Sequence, residues 1–161
     1  MSFRVSKLLV VAAVGFYLLM VAFNNIADPA PNLEFVSHIM SMDDVFPENQ
    51  ERWRGFPQNG MHWLFFIIIV ITELAAAVFC FWGAYVMWNS RQQSAEVFAQ
   101  AKRKAVLGLT IAFLLWFFAF ITVGGEWFFM WQAGNWNGIP TAFRNAAITL
   151  PALLYLHLGD D

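Results

Sequence analysis

The chain has 161 residues, of which 60% are hydrophobic and only 12% charged, and its net charge is −2. Soluble domains average roughly 45–50% apolar and about 25% charged residues, and a chain this small has too little interior to hide the excess. The composition excludes an ordinary soluble domain, and the charge balance gives no case for a nucleic-acid partner.

Arg4 and Lys7 precede the apolar run Leu8–Phe23. A basic start followed by an apolar stretch also opens secretory signals, but no clean small-x-small site follows, only Asn25-Ile26-Ala27. The segment therefore reads as a first membrane helix over about residues 7–27, long enough to cross roughly 30 Å of hydrocarbon. Residues 28–60 form a polar stretch with Asp28, Glu34, Asp43, Asp44, Glu48 and Glu51 against Arg52 and Arg54. Within it Leu33, Val36, Ile39, Met40 and Phe46 fall near helical spacing, which predicts a short amphipathic helix on the membrane surface, or else an ordinary structured loop.

A second helix spans about 61–88, apolar apart from His62, Thr72 and Glu73. Its single cysteine, Cys80, reads as a small buried hydrophobe, since one cysteine builds neither a disulfide framework nor a Cys-based metal motif. Residues 89–104 form a loop with Arg91, Lys102, Arg103 and Lys104. A third helix follows over 105–131, longer than a crossing needs and so tilted or projecting. Gly134–Gly138 makes an uncharged turn, and a short fourth helix over 141–157 is interrupted by Pro151.

The reading is thus all-α: one integral-membrane domain of four helices. Basic residues concentrate in the N-terminal tail and in 89–104, which puts both termini and that loop in the cytoplasm and loop 28–60 in the periplasm of a bacterial inner membrane. Trp53, Trp63, Trp127, Trp131 and Trp136 gather at the outer boundary, as an aromatic belt does.

Ionisable groups at membrane depth are expensive and so become functional candidates. Glu73 lies near mid-bilayer, where it would either carry a proton or cation or serve as a neutral hydrogen-bonding acid toward a neighbouring helix or subunit. Glu126 and Arg144 fall at similar depth on adjacent antiparallel helices, which predicts a structural ion pair. His62 and Glu73 share a helical face but sit about 16 Å apart, too far for direct contact. His38, Asp43, Asp44 and His62 make a weak outer metal set, and His157, at the inner end, cannot join His62 on one haem. No zinc signature, phosphate loop or nucleophile–base constellation occurs, and Gly124-Gly125 reads as a site of close helix packing.

The string Phe35-Val36-Ser37-His38-Ile39-Met40-Ser41-Met42-Asp43, then Phe46-Pro47 and Trp53-Arg54, resembles a family of predicted small integral membrane proteins of proteobacteria, a domain of unknown function. The resemblance continues through His62, Glu73, Glu126-Trp127, Met130-Trp131-Gln132, Trp136-Asn137-Gly138 and Ala142-Phe143-Arg144. Asp44 departs from it, standing where the family pattern leads us to expect threonine. The resemblance implies a four-helix membrane protein and supplies neither catalytic residues nor a cofactor.

Two functions follow as expectations. One is a non-catalytic accessory subunit of a larger inner-membrane complex, such as a respiratory or photosynthetic assembly, with lipid and other membrane subunits as partners. The alternative is a small homo-oligomeric proton-linked transporter or channel built on Glu73. A quinone-linked redox enzyme ranks third, with no ligand identified.

Overall fold

Ser2 begins the first helix by accepting a hydrogen bond from the Val5 amide, satisfying one of the free donors at a helix start. The computed structural model describes residues 2–160, and every regular element among them is helical. Helix α1 runs Phe3–Ala27, several residues earlier than the apolar run alone marks, because Ser2 supplies the cap. It stops where Pro29 forces Asp28 out of the helical region, to φ −139° and ψ 86°. Helix α2, Ala30–Ser41, restarts the chain with proline in its first turn and ends at Met42 in the left-handed region.

Val36, Ile39 and Met40 of α2 are buried in a cluster with Phe66, Val70, Phe128 and Met130. Of the apolar stripe read from residues 33–46, Val36, Ile39 and Met40 are covered by protein because α3 runs beside α2, whereas Phe46 is exposed. Helix α3 spans Asn59–Ser90. The turn that follows is short: Ser94 caps α4, Ala95–Ala101, so most of the stretch expected as a loop at 89–104 is helical. Phe98 and Ala101 of α4 are buried, an amphipathic signal masked in the sequence by the surrounding charge.

Helix α5, Arg103–Leu114, runs directly into a π-helix over Leu115–Trp127. The long helix ends there rather than at 131. Phe129 takes a positive φ of 52°, and Met130–Gln132 and Gly134–Trp136 are single 3-10 turns. Helix α6 covers Ile139–His157 and passes through Pro151 without ending.

The core of α1, α3 and α5 is built on small residues, which lets backbones approach where apolar bulk cannot drive association. Ala76, Ala77, Cys80, Ala84, Ala105 and Ala112 are all buried there. A Cβ on Gly83 would stand 2.3 Å from the Ala105 backbone nitrogen, and one on Gly108 would stand 2.7 Å from that of Cys80. The helices cross so closely that only glycine fits. Gly125 likewise leaves room for Ile139 of α6.

One end of the bundle is tied by charge. The fully buried Lys7 ammonium donates to the carbonyls of Leu158 and Gly159 and, at 2.6 Å, to the Asp160 carboxylate. Lys102 reaches the same carboxylate at 2.7 Å and the Leu156 carbonyl at 2.9 Å. Arg4 donates to the Arg91 and Gln93 carbonyls beside them. At the opposite end Arg54 lies over the rings of Trp127, Phe129 and Trp53, holding the 3-10 segment Arg52–Arg54 against the end of the π-helix. Three stretches are long and apolar enough to cross a membrane: Phe3–Ala27, Asn59–Ser90 and Ala95–Trp127. Helix α6, which carries Arg144, Asn145 and His157, is not among them.

Candidate functional site

The break between α1 and α2 opens one side of the bundle. Asn24 and Asn25 precede the break and Asn32 follows it; all three line a cavity of about 460 Å³. Tyr17 of α1, Glu73 of α3, Trp116 and Phe120 of the π-helix and Arg144 and Asn145 of α6 complete its walls, with Asn135 and Asn137 from the preceding turn. The volume lies in the range of small-molecule sites, roughly 300–1,000 Å³.

Glu73 is 1% exposed, and its Oε2 accepts a 2.8 Å hydrogen bond from the Asn25 side chain. Two turns nearer the charged clasp, the Tyr17 hydroxyl donates to Asn145 Oδ1 at 2.5 Å, while Thr149 donates to the Asn145 carbonyl. The Tyr17 contact holds the Asn145 side chain, and Asn145 is 2% exposed. Trp116 differs: the residue is 5% exposed, yet its indole Nε1 is buried without a hydrogen-bond partner. A buried donor left unmade costs about 1–3 kcal/mol, so a ligand acceptor here would gain more than it would at a satisfied wall.

The other residues singled out in the sequence separate. Glu126 is exposed and is not within ion-pair distance of Arg144; among the described residues the pairs are Lys7–Asp160, Lys102–Asp160, Arg54–Glu51 and those of His38. The expected clasp fails because Arg144 lies on the cavity side of α6, whereas the π-helix turns Glu126 outward. Similar depth does not guarantee a shared face. Arg144 makes no hydrogen bond or ion pair among the described residues.

The outer metal set does not assemble either. His38 Nδ1 meets Asp43 at 2.9 Å, and its ring stacks on Trp136 with centroids 4.3 Å apart. His62 is buried and donates through Nε2 to the Phe56 carbonyl at 2.6 Å, while Asp44 sits beside Gly134. No group of three or more metal-binding side chains occurs among the described residues.

A second space, of about 430 Å³, lies between α2, α3 and the π-helix and is almost wholly apolar. Phe35, Val36, Ile69 and Phe120 line both it and the polar cavity.

Compared with known families, residues 3–159 match the model of a family described as predicted small integral membrane protein (DUF2165). The chain belongs to this family. No curated protein and no solved structure matches it. The match spans all the helices that build the cavity and agrees with the resemblance carried by the strings from Phe35 to Arg144. It makes the chain an integral membrane protein and leaves its activity to be argued from the site.

Proposed function

We propose that this protein binds a small polar solute in the Glu73 cavity and moves it across the membrane in exchange for protons. The observation that carries the reading is a buried acid, held by a single side-chain hydrogen bond from Asn25, in the wall of a cavity large enough for a ligand. An intramembrane acid can alternate between a proton and a cationic group. Interrupted helices with a site beside the interruption are a recurring feature of transporters, and the α1–α2 break fits that description.

In this reading the chain crosses four times, with α6 as the fourth crossing. Lys7 and Asp160 meet at one end of the bundle, and termini on one side require an even number of crossings. Trp63 and Trp82 are both exposed and 19 residues apart on α3 (82 − 63), about 28 Å along a helix, close to the hydrocarbon thickness. Glu73 then sits near the midplane. Basic residues at the clasp support a cytoplasmic place for that end in a bacterial inner membrane, with residues 42–58 outside. Asn49→Cys should accordingly react with an impermeant thiol reagent before the inner membrane is lysed.

The test of transport is proton flux in liposomes carrying the purified protein and an internal pH-sensitive dye. Wild type should couple solute addition to a pH change, and Glu73→Gln should abolish it while remaining folded. Flux undiminished in Glu73→Gln would remove Glu73 from the mechanism. The accessory-subunit reading makes a separate expectation, that the protein purifies in mild detergent at fixed stoichiometry with other membrane subunits.

A further inference from the structure

We infer that the ligand of the cavity is a zwitterion, whose ammonium is held by Glu73 and whose carboxylate or phosphate is held by Arg144 and the Trp116 indole N–H. The inference rests on the reading of this cavity as a binding site and names the chemistry it selects. Three groups on the walls have capacity to spare. Glu73 offers roughly four lone-pair positions, of which Asn25 takes one. Arg144, an exposed residue that lines the cavity, presents five donors in a fixed fork suited to carboxylate or phosphate and makes no hydrogen bond or ion pair among the described residues. Trp116 Nε1 is a buried donor without an acceptor.

Charge complementarity then narrows the class. A simple cation would gain at Glu73 and be repelled by Arg144, and a simple anion would meet the reverse. One molecule carrying both charges satisfies both walls and neutralises the buried Glu73, where uncompensated charge is costly. The asparagines around it, Asn24, Asn32, Asn135 and Asn137, add neutral donors and acceptors without favouring either sign. A free amino-acid-like molecule and an aminophospholipid headgroup share this chemistry, and the adjoining apolar space makes the second a source to be tested.

Full-length protein in detergent is titrated with glycine, β-alanine and γ-aminobutyrate, with propylamine and propionate as half-molecules, and thermal shift and calorimetry are read. Short-chain phosphatidylethanolamine, against phosphatidylglycerol of the same chain length, forms the lipid arm. At least one zwitterion should bind at least about tenfold more tightly than either half-molecule. Glu73→Gln should reduce it to the level of propionate, Arg144→Gln to that of propylamine, and Trp116→Phe should weaken it several-fold. Preference for phosphatidylethanolamine over all free zwitterions assigns the head to a lipid; preference for a free zwitterion assigns it to a solute. Half-molecules binding as tightly as every zwitterion, or no zwitterion binding at all, would overturn the inference. Zwitterion binding without proton flux would sink the transport reading alone, and solute-coupled flux with no charge-pair preference would sink this inference alone.

Discussion

Two buried ionisable side chains in this protein are treated in opposite ways. Lys7, fully buried, has three ammonium donors, and the Leu158 carbonyl, the Gly159 carbonyl and the Asp160 carboxylate take them. Glu73, equally buried, receives one side-chain hydrogen bond and faces a cavity lined also by a buried, unpaired indole donor and by the exposed Arg144. Buried polar groups are almost always satisfied, so a saturated charge reads as architecture and an unsaturated one as a place for a ligand. The contrast predicts that changes at Lys7 cost stability, whereas changes at Glu73 cost function.

The largest loss of stability should come from Lys7→Met. It strands two carbonyls and weakens the neutralisation of Asp160, although Lys102 remains on that carboxylate. Breaking a buried pair costs roughly 3–5 kcal/mol, and the retained Lys102 points to the lower end. Unfolding in SDS–detergent mixtures measures it; wild-type stability in Lys7→Met would mean that the clasp is ornamental.

Gly83→Ala should come next, at about 1–3 kcal/mol for overpacking. Its new methyl would lie 2.3 Å from the Ala105 backbone nitrogen, so α3 and α5 must move apart. Because the cavity lies along the helices from this crossing, ligand affinity should change less than stability. A Gly83→Ala variant as stable as wild type would show that the close crossing relaxes freely.

Smaller still is the effect of acid on the clasp. Burial alone would raise the Asp160 pKa, but hydrogen bonds and charge from Lys102 and Lys7 outweigh it and hold the carboxyl below its usual 3.8. A folded-state pKa below the unfolded value means that the unfolded chain binds the proton more readily. The stabilisation is therefore complete above the unfolded pKa and disappears as pH falls through the folded one. Wild type and Asp160→Asn should differ most near neutrality, begin to draw together as pH falls below about 4, and meet only below the lowered folded-state pKa. A gap that stays constant down to pH 3 would mean that the Asp160 charge contributes nothing.

Much of this architecture was legible because a bilayer imposes strong patterns. The apolar runs located α1, α3 and the long α5–π stretch, and Glu73 stood out as an acid in an otherwise apolar helix. The cavity was harder to see. Asn25, Tyr17, Trp116 and Asn145 matter through where three helices meet, and that depends on the α1–α2 break and on a π-helix. The spacing within 28–60 suggests a short amphipathic helix, but not that Val36, Ile39 and Met40 pack against α3 and the segment after the π-helix. The π-helix has no comparable sequence mark. Its wider turn shifts every later side chain around the axis, which is why a pairing inferred from depth joined Glu126 to Arg144 and the structure does not. The clasp has no sequence mark, because Lys7, Lys102 and Asp160 lie far apart in the chain and meet only where residues 158–160 fold back over Lys7.

The smallest expected effect on stability is at Glu73, and it separates the two regions most cleanly. Glutamine keeps the shape of the side chain and a carbonyl acceptor for the Asn25 amide, so Glu73→Gln should unfold like wild type. Leucine removes that acceptor, and interhelical hydrogen bonds in membranes average only about 0.6 kcal/mol. Glu73→Leu should therefore lose well under half of what Lys7→Met loses. Both variants remove the carboxylate and should lose zwitterion binding and solute-coupled proton flux together. A Glu73→Leu loss as large as that of Lys7→Met would put the acid in the same class as the clasp, as a structural group whose cavity is incidental. Near-native stability in both variants, with binding gone, is the result that the unfilled valences of Glu73, Arg144 and Trp116 lead us to expect.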